Sequence, residues 1–139
     1  MRMCKTILWV LLVCATSALA AEINSSDVAG TPSVYCSVSK EPSPALVGHF
    51  AGVQKKLNEK SNEYVMEPIE YWLLKKGDKY ALYFYRVKDG KGKKYSGWRK
   101  WYIKGDKINT GESAEIFVKD GAVYYQWKFN EPAKLTRIE

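Results

Sequence analysis

The chain has 139 residues, 22 Lys and Arg against 15 Asp and Glu, one histidine and three cysteines. That length supports one hydrophobic core and excludes a multidomain machine. With one histidine, no glycine-rich phosphate cradle and no metal-spaced cluster, the usual ingredients of catalysis and of metal or cofactor binding are missing, so the chain reads as a binding protein and not an enzyme.

Residues 1–20 carry the three parts of a cleavable export signal. Arg2 and Lys5 supply the positive start, Thr6 to Cys14 a short apolar run, and Ala18-Leu19-Ala20 the small-x-small cleavage pattern before Ala21. The apolar run is far below the roughly 20 residues that span a bilayer. Leu11-Leu12-Val13-Cys14 faintly resembles a lipoprotein box, but Val13 occupies a position that favours Gly, Ala or Ser, which argues against anchoring at Cys14. The expected destination is the periplasm or the extracellular space. Cleavage lowers the net charge from +7 to +5 and leaves Cys36 as the one thiol, unable to form an internal disulfide.

Residues 21–45 are rich in Ser, Pro, Ala and Gly without apolar periodicity and read as a flexible leader, with the folded domain at 46–139. Asn24-Ser25-Ser26 would be a glycosylation acceptor in a eukaryotic host. Leu46–Gln54 reads as the first strand. Gln54–Asn62 is strongly polar and reads as a loop.

From Glu63 onward, short runs of Tyr, Trp, Val, Ile and Phe alternate with glycine turns. Lys76-Gly77-Asp78-Lys79 separates Ile69–Lys75 from Tyr80–Lys88, and Lys104-Gly105-Asp106-Lys107 separates Trp98–Ile103 from Ile108–Thr110. Asp120-Gly121 joins Ala114–Lys119 to Ala122–Phe129, and Lys134–Ile138 closes the series. Such steps suit tight hairpins. The strand Tyr80–Val87 is apolar on both faces. Val123, Tyr125, Trp127 and Phe129 share one dry face, and Trp101 and Ile103 share a face with Arg99. About eight short antiparallel strands in hairpin order predict an all-β domain, a meander closing into a small barrel, with a two-sheet sandwich as the alternative.

Two ends and a middle segment of this series resemble small bacterial lipocalin-like proteins. Leu46-Val47-Gly48-His49-Phe50-Ala51-Gly52 is similar to their Gly-x-Trp first strand with Phe50 in the tryptophan's place, and Lys134-Leu135-Thr136-Arg137-Ile138 to the closing strand. Tyr95-Ser96-Gly97-Trp98, followed by Trp101 to Ile108, is similar to a hairpin of the same family. The resemblance implies a structural role for Gly48, Phe50 and Arg137, an arginine lying over an aromatic ring at the barrel's closed end. The cysteine pair of copper-linked relatives is absent, so no metal site is implied.

The candidate ligand pocket draws on Trp72, Phe84, Trp101, Tyr125 and Trp127, aromatic side chains suited to a small apolar or amphiphilic ligand. A second expectation is protein interaction, as an inhibitor, immunity or envelope-stress factor. It would use the stretch Arg86–Lys107, where nine bases face two acids; Lys88, Lys91, Lys93, Lys94, Arg99 and Lys100 form its basic surface. The same lysines would suit an anionic envelope lipid or polysaccharide. No nucleic-acid-binding motif is visible, so nucleic acid is not an expected partner.

Overall fold

The computed structural model describes residues 28–88 and 92–139. The chain divides into two units, Met1–Thr31 with Glu139, and Pro32–Ile138. The stretch expected to be an export signal lies outside the described residues, and the account below concerns the second unit.

The second unit is all-β. Its elements are β1 (Ser37–Lys40), a 3₁₀ turn (Pro44–Leu46), β2 (Gly48–Asn58), β3 (Glu63–Lys76), β4 (Lys79–Val87), β5 (Lys94–Arg99), β6 (Tyr102–Lys104), β7 (Lys107–Asn109), β8 (Ala114–Lys119), β9 (Ala122–Trp127) and β10 (Ala133–Ile138). They form one ladder in the order β1-β6-β7-β8-β9-β10-β2-β3-β4-β5. β1 pairs with β6 in parallel, whereas the other neighbours are antiparallel.

The hairpins form where glycine and aspartate let the chain reverse. At Asp120-Gly121 both residues adopt positive φ, 52° and 78°, the geometry whose twist matches the flanking strands β8 and β9. Along β4 alternation sends Tyr80, Leu82 and Phe84 into the core, and Ala81, Tyr83, Tyr85 and Val87 on the opposite face are buried as well. The core joins these to Leu46, Phe50, Tyr71 and Leu73 from one half of the ladder and Ile103, Ile108, Ile116, Val123 and Leu135 from the other. Each fully buried Leu or Ile contributes about 1.5–3 kcal/mol relative to exposure.

Phe84 on β4 and Tyr125 on β9 have ring centroids 5.8 Å apart although three strands separate them in the ladder. The sheet therefore curls over its own core. Strand pairing does not return on itself, because β1 and β5 are the two ends of the ladder. Cys36, just ahead of β1, touches the far side of the ladder: its N–H donates to the Tyr80 carbonyl of β4 at 2.8 Å, and its Sγ lies 3.7 Å from the Arg99 carbonyl of β5.

Three features differ from the sequence expectation. Ten strands replace eight, because β1 forms inside the stretch read as leader and because the run Trp98–Ile103 breaks at Lys100-Trp101 into β5 and β6. Residues 54–58, read as loop, extend β2, since their inward positions are polar by design of the interior: Gln54 faces Glu67 and Lys56 lies over the Trp127 ring. Phe129, placed on the dry face of the last long strand, is fully exposed at 102 %, because Lys128 turns the chain with φ 52° directly after β9 ends.

Candidate functional site

The interior changes character along its length. On β2 the inward positions run Phe50, Gly52, Gln54, Lys56; on β3 they run Leu73, Tyr71, Ile69, Glu67; on β4 they run Leu82, Phe84, Arg86. One end is apolar and filled. The other carries charge, and there a half-enclosed cavity of about 340 Å³ opens, lined by Phe84, Arg86, Tyr95, Arg99, Trp101, Thr110, Glu112, Ala114, Tyr125 and Trp127. This lies at the small end of ligand sites, with aromatic walls interleaved with charged and hydroxyl groups.

Four of the five expected pocket aromatics meet here. Phe84 packs on Trp101 at 4.9 Å between ring centroids and on Tyr125 at 5.8 Å, while Trp127 forms a further wall. Trp72 does not join them. It alternates with Tyr71 and Leu73, which take the core side, and so points to the opposite face, where it stacks on His49 at 4.0 Å. His49, Trp72, Tyr83 and Trp98 are directly opposite one another across four strands and form a continuous aromatic row, with His49 also bonded to Glu70.

Beneath the cavity lies a fully buried carboxylate. Glu67 accepts a hydrogen bond from Gln54 Nε2 at 2.8 Å and has Lys56 Nζ at 3.7 Å and Arg86 Nη1 at 3.9 Å. Arg86 also lies over the Tyr95 ring, 5.2 Å from its centroid. Burial pushes the Tyr125 hydroxyl up to about 12, against the opposing pull of Arg86, so it stays protonated at neutral pH. Between Tyr95 and Arg99 on the inward face of β5 stands Gly97, with φ 152°, where an added Cβ would meet nothing within 4 Å. A missing side chain at this position leaves the cavity its room.

Arg99, counted from sequence with the basic surface, lines the cavity, and its Nε is buried. Lys88, Lys93, Lys94 and Lys100 are exposed, Lys93 resting over Tyr95 at 5.5 Å, whereas Lys91 lies outside the described residues. Arg86, Tyr95, Thr110, Glu112 and Ala114 were absent from the sequence-derived site. Alternation already carries Arg86 inward after Leu82 and Phe84; the loop residues had no such signal.

At the apolar end Arg137 lies over Phe50, 4.6 Å from the ring centroid, and its Nη1 donates to the Val47 carbonyl at 2.8 Å. The two residues are opposite one another in the β10–β2 register. Gly48 makes the approach possible, since a Cβ there would stand 2.5 Å from Arg137 Nη1.

Among the described residues no group of three or more His, Cys, Asp or Glu is placed to hold a metal ion. No protein-family model matches this chain, and no curated protein or solved structure is significantly similar to it.

Proposed function

We propose that the chain is an exported, non-enzymatic binding protein, built as a small lipocalin-like barrel, that takes a small amphiphilic ligand into the cavity between β4, β5 and β9. One observation carries this reading: aromatic side chains from both halves of the ladder converge on unfilled space beside charged groups, at one end of a core that is otherwise packed. A domain needing only stability would fill that space, because each missing methylene contact costs it dispersion and transfer energy. The exported destination rests on the signal at residues 1–20, which a domain of this kind needs to reach a compartment where free amphiphiles are scavenged or carried.

Native mass spectrometry of the processed protein, freshly purified from its own host, tests the proposal. The expected spectrum contains a second species heavier by one small molecule, and removal of that molecule lowers the melting temperature by several degrees, as mass action requires for a ligand that binds only the folded state. A bare polypeptide mass, together with no melting shift across a panel of small amphiphiles, overturns it.

A further inference from the structure

The cavity contains two guanidinium groups in different circumstances. Arg86 is engaged by Glu67 and by the ring of Tyr95. Arg99 is not: its Nε is buried without a hydrogen-bond partner, and among the described residues no carboxylate lies within ion-pair distance of it. A buried guanidinium N–H left unmade is costly, and folded proteins rarely keep one unless something else satisfies it. The two arginines stand on either side of Gly97, Arg86 opposite Tyr95 and Arg99 opposite Leu82 in the strand register. Phe84, opposite Gly97, stands between them, so the cavity holds a paired arginine on one side of this ring and an unpaired one on the other.

We infer that Arg99 is the headgroup anchor of this cavity and that the ligand is a small monocarboxylate with a flat, apolar body. The inference rests on the ligand-binding reading above and deepens it. A carboxylate presents two oxygens in one plane, which matches the guanidinium fork, and the aromatic walls of Phe84, Trp101 and Tyr125 suit a planar body. A single negative charge fits better than two, because Glu112 in the lining and Glu67 beside Arg86 would repel the second. The cavity's size sets the ligand at about a dozen non-hydrogen atoms.

Isothermal titration of the processed protein with 2-naphthoate, 2-naphthylmethanol and inorganic phosphate tests this. The expected result is saturable binding of the naphthoate, at least about tenfold weaker binding of the alcohol, and no competition from phosphate, the factor being that of one charge-assisted hydrogen bond. Arg99→Gln should bring the naphthoate down to the level at which the variant binds the alcohol. Arg99→Lys, which keeps the charge and loses the fork, should fall between them and carries the comparison if the glutamine variant does not fold. Equal binding of acid and alcohol, or indifference to both substitutions, overturns the carboxylate anchor while leaving the cavity's role as a ligand site standing. Competition by phosphate overturns the preference for a single charge. If neither naphthyl compound binds and the native spectrum is also bare, the ligand-binding reading itself falls.

Discussion

Glu67 is a carboxylate with no solvent exposure, held on β3 between Gln54 and Lys56 of β2 and Arg86 of β4. Its charge is tolerated because three donors surround it, and the two bases would be left without it if it were removed. Glu67→Ala should therefore destabilise the fold by about 3 kcal/mol, the low end for breaking a buried pair, because Lys56 and Arg86 both keep some solvent contact. Glu67→Gln, which preserves shape, should cost clearly less; urea denaturation of both variants reads the difference, and equal midpoints would remove the electrostatic account. Cys36 offers a second single-residue expectation. Burial pushes its thiol up to about 11, with backbone hydrogen bonds at Trp101 and Leu82 only partly offsetting the effect. Because the folded value exceeds the unfolded one, the protonated thiol's contribution to stability is complete below about pH 9 and is lost as the pH climbs through 11. Iodoacetamide should barely label the native protein at pH 8 and should label it rapidly in urea; fast native labelling at that pH would contradict the burial.

At the level of strands, β2 is the hinge of the architecture, pairing along its full length with β3 and over three residues with β10. The contact with β10 leaves no room for a side chain at Gly52, where an added Cβ would lie 2.7 Å from both the Lys134 carbonyl oxygen and Leu135 Cδ2. The Leu135 methyl can rotate away, but the carbonyl belongs to the backbone of the neighbouring strand and cannot. Gly52→Ala should thus push β10 off β2 and cost at least about 2–3 kcal/mol, more than an ordinary overpacked core position. Thermal unfolding followed by circular dichroism measures it, and a melting point within a degree of the parent would show that the strands have slack. Three hairpins, β3–β4, β6–β7 and β8–β9, were readable because glycine and aspartate mark those reversals and β-branched or aromatic residues mark the runs beside them. The second half of β2 was not readable. Its inward residues Gln54 and Lys56 are polar because their partners Glu67 and Trp127 come from other strands, and a single-strand pattern cannot show a partner that arrives from elsewhere in the chain. For the same reason Phe84, Tyr125 and Trp127 were visible as inward positions of β4 and β9, whereas Thr110 and Glu112 were hidden in a turn, and Trp72 was counted with the pocket because both faces of β3 are rich in large residues around it.

For the molecule as a whole, all-β character and meander order followed from local texture, but the pairing that unites the two halves did not. β1 reaches β6 across more than half of the second unit, pairing Ser37 with Tyr102, and β2 finds one of its two neighbours in β10, the last strand of the series. Contacts between such distant parts of a chain are slow to form, because loop closure must precede the reward of pairing. The placement of β1 and β2 gives the fold a built-in delay. Neither strand can complete its hydrogen bonding until sequence far downstream is available, so the local hairpins can form early while the sheet that unites them closes only when the last strand, β10, is free to pair with β2.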